Sequence, residues 1–143
     1  MAIVKVVLKV DNDRYEQILN FSSSRKVCFL EYKYDQKTKE KEETRAKVFH
    51  FTQEAINEFF ELLEKGLGES FQKLEILDGA KPWLLTVLYD DGIKKSFYNP
   101  NGFDLVVDDI SLSAFLRFHL NLECLLLFDN NETPYCGEKK IAK

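Results

Sequence analysis

Three residues in the last third of the chain, Arg117, His119 and Glu123, have the types and spacing of a small acid–base site. On a strand all three would point to one face, and on a helix His119 and Glu123 would lie one turn apart. A histidine beside a carboxylate can act as a general base, because its pKa lies near neutrality. The alternative is a solvated or salt-bridged polar stripe, which we favour because such pairs are common on ordinary surfaces.

Five aspartates form a second candidate site, since clustered carboxylates bind Mg²⁺ or Ca²⁺. They are Asp90, Asp91, Asp104, Asp108 and Asp109. The Asp-x-Asp-x-Asp-Gly pattern of a calcium loop is absent. Turn formation explains the first two aspartates and helix capping explains the last two. His50 has no second histidine nearby, so we interpret it as a sheet residue. We predict neither a metal nor another cofactor.

A mixture of basic and aromatic residues, suited to stacking bases and gripping phosphate, is the third candidate. It comprises Phe29, Lys33, Arg45, Lys47, Phe49 and Phe51. The formal net charge is −4, and nearby glutamates cancel the local positive charge, so most of the attraction to nucleic acid is missing. The alternative is a sheet face covered by a helix. We predict that nucleic acid and membranes are not partners.

Composition indicates one cytoplasmic domain. The 143 residues are 45% hydrophobic and 13% aromatic, enough for one sizeable core. The chain has three cysteines, an odd number, and they are widely spaced: Cys28, Cys124 and Cys136. This argues against a disulfide framework and favours a reducing compartment. No apolar run approaches the length of a membrane span, and the first residues do not resemble a signal peptide. We expect a domain over 1–128 and a polar, flexible tail over 129–143.

The clearest local pattern predicts a β-hairpin over 82–99. Alternate residues from Trp83 to Tyr89 are apolar on both faces, which predicts a central strand covered by a helix on one side and by more chain on the other. Asp91-Gly92 predicts a type I′ turn, in which both central residues have positive φ. The return strand is predicted over 93–99.

The same region resembles a block found in small uncharacterised bacterial proteins, over about thirty residues. The residues that carry the resemblance are Asp78-Gly79, Trp83, Tyr89-Asp90-Asp91-Gly92, Asn99-Pro100 and Phe103. It implies an Asp-Gly and a Trp before a hairpin, and a Phe that opens a helix after it. The group has no activity to carry over. We expect the source of this chain to be bacterial or phage.

The first half of the chain alternates at period two. Strands are predicted over 3–10, 26–34 and 44–51, with a charged, mobile connector over 35–43. Residues 14–21 fit a helix, because Asp13 and Glu16 resemble a capping box, and also a strand, which we favour because a short turn after a strand often makes a hairpin. Thr52 is the predicted N-cap of a helix over about 52–66, ended by Gly66 and Gly68.

The later elements are less regular. A strand is predicted over 71–77. Asp108 or Asp109 is expected to cap a helix near 109–120, followed by a strand near 122–128. Residues 116–124 also alternate at period two, so periodicity leaves a strand open there.

We therefore predict an α+β fold, with a mainly antiparallel sheet of about five to seven strands and two helices packed on it. The predicted function is a small protein-binding module without catalysis, of an inhibitor or immunity type whose acidity steers it to basic partners. The predicted interaction residues are Lys33, Arg45, Lys47, Phe49, Trp83 and Tyr98. The alternatives are a small hydrolase or nuclease, assisted by metal or using His119 and Glu123 with Arg117, and a homodimer joined through a sheet edge.

Overall fold

The structure, a computed structural model, describes residues 2–11, 14–35, 37–69, 83–99, 106–120 and 125–128. Its elements in chain order are β1 (Ile3–Asp11), β2 (Tyr15–Ser22), β3 (Lys26–Tyr34), β4 (Lys41–His50), α1 (Gln53–Glu69), β5 (Trp83–Tyr89), β6 (Lys94–Asn99), β7 (Val106–Val107), β8 (Ile110–Ser111) and α2 (Leu112–Leu120). The predicted α+β class is confirmed.

Six strands form one antiparallel sheet in the order β4-β3-β2-β1-β5-β6. The ambiguous stretch 14–21 is strand β2, as favoured, because it pairs with both neighbours: Leu19 lies opposite Leu8 of β1 and Phe29 of β3. Strand β4 begins at Lys41, three residues before the predicted start, and so takes in part of the charged connector.

Alternation divides the sheet into two faces that the register makes continuous. The face that carries Leu8, Leu19, Phe29 and Leu85 is buried, and we call it the core face. The face that carries Lys5, Val7 and Lys9 of β1, with the residues opposite them on the other strands, is the open face. The side chains of the two helices pack on the core face: Phe59 of α1, for example, lies 4.6 Å from Phe21 between ring centroids.

Helix α1 begins as predicted. The Thr52 hydroxyl accepts a hydrogen bond of 3.1 Å from the backbone N–H of Ala55, and Ile56, Phe59 and Leu63 are fully buried. The predicted end was wrong, because the helix continues through Gly66 to Glu69. Gly66 is buried within the helix and does not stop it.

The second helix begins differently from the prediction. Asp108 and Asp109 do not cap it; their φ values of 51° and 65° place them in the two-residue turn between β7 and β8. The cap is Ser111, whose hydroxyl accepts a hydrogen bond of 3.1 Å from the N–H of Ala114. Helix α2 then buries Leu112, Leu116 and Leu120, within the predicted range 109–120.

The turn between β5 and β6 also differs from the expected type I′ turn. Only Gly92 has positive φ, at 89°, whereas Asp91 does not. The Gly92 N–H donates to the Tyr89 carbonyl at 3.0 Å, and the Tyr89 N–H donates to the Ile93 carbonyl at 2.9 Å. This is a three-residue loop, a type I turn followed by a left-handed glycine, so β6 begins at Lys94.

Residues 125–128 form a buried turn, so the predicted strand near 122–128 was wrong for these four residues. Their backbone bonds to side chains: the Leu126 N–H donates to the Gln17 side-chain oxygen at 2.8 Å. Phe128 packs edge-on against Trp83, with 5.0 Å between ring centroids. The predicted strand over 71–77, the helix opening at Phe103 and the tail over 129–143 lie outside the described residues.

Candidate functional site

An apolar band crosses the open face from one edge strand toward the other. One row of it contains Val48, Cys28 and Val7, which the register places side by side with Asn20 among them. The next row contains Ala46, Leu30, Ile18 and Leu84, with Lys9 between the last two. We call these seven apolar residues the apolar band.

The apolar band is incompletely covered. Val48 is 53% exposed and Leu84 is 36% exposed, whereas Leu85, the neighbour of Leu84 on the core face, is fully buried. The prediction that β5 is covered on both sides is therefore wrong at Leu84. Apolar side chains on several adjacent strands that stay accessible are typical of a contact surface.

A row of positive charge borders the band on one side. The register aligns Lys26 with His50, Lys5 with Ser22, and both Lys5 and Lys94 with Leu88. We call Lys5, Lys26 and Lys94 the lysine row. All three side chains are exposed.

The opposite border of the band contains three acidic residues, Asp11, Glu16 and Glu43. The Glu16 carboxylate forms ion pairs within the chain. Glu16 is only 2% exposed, and its oxygens lie 3.2 Å from the Lys9 ammonium and 2.9 Å from that of Lys41. Burial alone would raise the pKa of Glu16, but the hydrogen bonds and charges of Lys41 and Lys9 hold it below its ordinary value. Glu16 is therefore a carboxylate whose charge is balanced by two lysines of the same chain.

Tyr34 lies beyond that border and donates a hydrogen bond of 3.2 Å to the Asp11 carboxylate. Burial, with the nearby charges of Asp11 and Glu16, raises the pKa of Tyr34 to about 12. Its phenol stays protonated at neutral pH, which keeps Asp11 occupied as an acceptor.

Arg45, one of the predicted interaction residues, instead belongs to a polar network on the core face. It lies 3.6 Å from the carboxylate of Glu31, which is 3% exposed. Glu31 also accepts hydrogen bonds from Gln17 at 2.8 Å and Thr44 at 2.9 Å. Gln17 in turn accepts from the Leu126 N–H. The network fastens 125–128 to the sheet.

The other predicted interaction residues are scattered. Lys33 lines an open cleft of about 630 Å³ at the end of the β3–β4 hairpin, among side chains of both charges. Lys47 is exposed, and Phe49 packs against the core. Trp83 is 1% exposed, so it contributes to the core and not to an accessible surface. The backbone of Tyr98 pairs with that of Leu84. The side chain of Tyr98 is not among the side chains that the structure describes.

Two of the three predicted acid–base residues, Arg117 and His119, lie within the described residues. The Arg117 guanidinium donates to the carbonyls of Leu125 and Leu126, at 2.8 and 3.1 Å. His119 is exposed, and its ring lies 4.3 Å from that of Phe115. Glu123 lies outside the described residues. Arg117 therefore has a structural role in holding 125–128.

The four described aspartates of the candidate site lie in two different turns. Asp90 and Asp91 lie in the β5–β6 turn, and Asp108, in the β7–β8 turn, pairs with Lys65 at 2.9 Å. Asp104 lies outside the described residues. Across the part of the chain that is described, no three His, Cys, Asp or Glu side chains are placed to hold a metal ion.

The exposed edge of β4 does not favour strand pairing with a second copy. A register shift opposite Glu31 and Tyr32 leaves Thr44 as the extra residue in the strand. Bulges and charged residues protect sheet edges from pairing. Strand β4 has both, because it contains the bulge at Thr44 and begins with the charged residues Lys41, Glu42 and Glu43.

Sequence reasoning missed the open face as a site, although the signal was present in the apolar residues on both faces of β5. It also missed Gln17 and Glu31, which the β2–β3 register places opposite each other. In the described ranges, no helix has both the length and the apolar character needed to cross a membrane. Comparisons with protein-family models, curated proteins and solved structures found no match to this chain.

Proposed function

We propose that the protein is a protein-binding module and that the open face of its sheet is the contact surface. The observation that carries this proposal is the apolar band, in which Leu84 and Val48 keep 36% and 53% of their surface accessible. Burying apolar surface contributes roughly 25 cal/mol per Å², so a partner that covers the band gains free energy.

The chemistry of the face also supports binding. Two carboxylates at the border of the band are already paired, Glu16 with Lys9 and Lys41 and Asp11 with Tyr34, so a partner that covers them need not supply their hydrogen bonds. A rigid sheet loses little conformational entropy when a partner docks on it.

The inhibitor or immunity subtype remains a prediction and would use another surface. The exposed side of α1 carries Glu54, Glu58 and Glu61, which would attract a basic partner. No feature of the apolar band favours that subtype, and no observation favours the hydrolase alternative.

Capture from the source cell with matched variants tests the proposal. The chain with Leu84→Glu and Val48→Glu places charge within the band, whereas Val106→Glu alters an equally exposed valine on β7, which packs beside α1. We expect a stoichiometric protein bound to wild type and to Val106→Glu, and lost from the double variant. Retention of the same protein by the double variant would contradict the proposal.

A further inference from the structure

We infer that the partner of the open face is an acidic protein surface, with apolar residues at its centre and carboxylates along the edge that meets the lysine row. The inference rests on the proposed function. It concerns the chemistry of the occupant and follows from the two unlike borders of the apolar band.

The lysine row presents accessible positive charge to a partner. Lys5, Lys26 and Lys94 are exposed and stand in one line across the sheet, with His50 at its end. A partner that covers the band brings its own rim close to these ammonium groups. Carboxylates there gain attraction, whereas cations meet repulsion, so the row selects against basic partners.

The local charge is opposite to the charge of the whole chain. The formal net charge is −4, and exposed glutamates on α1 contribute to it on the other side of the molecule. Because exposed charges are screened beyond about 8–10 Å in physiological salt, a partner on the open face responds mainly to the charges of that face and little to the glutamates of α1.

A second copy of this chain fits less well than an acidic partner. Its carboxylates on the opposite border are largely engaged: Glu16 binds Lys9 and Lys41, and Asp11 accepts from Tyr34. An anionic lipid surface fits less well, because its negative charge is uniform, whereas the lysine row lies along one border of the band and the exposed Glu43 lies on the other.

Two synthetic peptides provide the probe, both amphipathic and 18 residues long, which as a helix is about 27 Å. They share a leucine face, and one is flanked by glutamates whereas the other is flanked by lysines. Fluorescence anisotropy measures their affinity for wild type, for Lys5→Glu with Lys94→Glu, and for Leu84→Glu with Val48→Glu. Lys37→Glu with Lys39→Glu is the matched control, because it makes the same charge change in the β3–β4 turn.

Wild type and the control should bind the glutamate peptide at least tenfold more tightly than the lysine peptide, and salt should reduce the difference. Reversal of Lys5 and Lys94 should remove the preference, and the Leu84 and Val48 changes should abolish binding of both peptides. A preference that survives reversal of the lysines overturns the inference but leaves the proposed function intact. Binding that survives the Leu84 and Val48 changes overturns the proposed function itself.

Two further measurements complete the test. Sedimentation equilibrium should show a monomer, and a dimer abolished by the Leu84 and Val48 changes would assign the face to a second copy and overturn the inference. Vesicles of phosphatidylcholine with one fifth phosphatidylserine should not bind the protein in physiological salt. Vesicle binding that depends on Lys5 and Lys94 would overturn the inference in favour of a membrane surface.

Discussion

Both faces of the six-stranded sheet carry apolar residues, but the surroundings of those residues differ. On β5, Leu84 and Leu85 are neighbours in sequence and point to opposite faces. Leu85 is fully buried beneath the helical layer, whereas Leu84 is 36% exposed. On β1, Leu8 and Val7 show the same contrast, since Leu8 is fully buried and Val7 only half-buried.

The difference shows that alternation predicts which residues share a face but not what covers that face. Two apolar faces on a strand usually indicate cover on both. Here the core face is covered by the chain itself, and the second apolar face remains accessible at Leu84 and Val48. We interpret the second pattern as cover that a partner supplies.

The largest expected difference between the faces is in stability. Leu85→Ala should lower the free energy of unfolding by about 2–5 kcal/mol, because it opens a cavity in the core. Leu84→Ala should lower it by less than about 1 kcal/mol, since its side chain is already partly in water. Urea unfolding of the two variants measures both values. Equal losses would show that the open face is packed like the core.

Removing a buried polar residue from the core face should have a smaller effect on the free energy of unfolding. Gln17→Ala removes the donor to Glu31 and the acceptor for the Leu126 N–H, and leaves both groups buried without those bonds. We expect a loss of about 2–3 kcal/mol in the free energy of unfolding. Asn20→Ala is the control on the same strand, because Asn20 is half-buried on the open face, and it should cost less than about 0.5 kcal/mol. Similar losses in the two variants would argue against the network.

Removing the ion pairs of the open face should have the smallest effect on stability, and the size of that effect should depend on pH. The pKa of Glu16 in the folded protein lies below its ordinary value of 4.5, so the carboxylate stabilises the fold above that value. The stabilisation is lost as pH falls through the lowered pKa of the folded state. Glu16→Gln should therefore cost about 1 kcal/mol at pH 7 and less at pH 3, which is below the ordinary pKa of the group. Thermal unfolding at the two pH values measures this, and an equal cost at both would exclude a role for the charge.

Most strands and both described helices could be predicted from the sequence, because their alternation or helical spacing is unambiguous. The turns could not. Asp91-Gly92 resembles a type I′ turn, yet Gly92 alone has positive φ, and the two-residue turn with two positive φ values is at Asp108 and Asp109. Aspartate suits both turns and helix caps, so local preference does not choose between them.

The candidate site was less predictable than the fold, because it depends on register between distant strands. Lys5, Lys26 and Lys94 are far apart in sequence, and only the pairing of β1, β3 and β6 through their neighbours makes them one row. Arg45 and Arg117 were candidate site residues because of their type and spacing in the sequence. Their partners, Glu31 and the carbonyls of 125–126, could be recognised only once the tertiary structure was known.

Site-specific photo-crosslinking in the source cell tests the central claim most directly. A photoreactive phenylalanine analogue replaces Leu84 or Val48 in the apolar band, and in separate controls it replaces Val106 or Phe118, which is 80% exposed on α2. We predict one crosslinked protein species, common to Leu84 and Val48 and absent from both controls. Crosslinks from Val106 or Phe118, with none from Leu84 and Val48, would contradict the assignment of the open face as the contact surface.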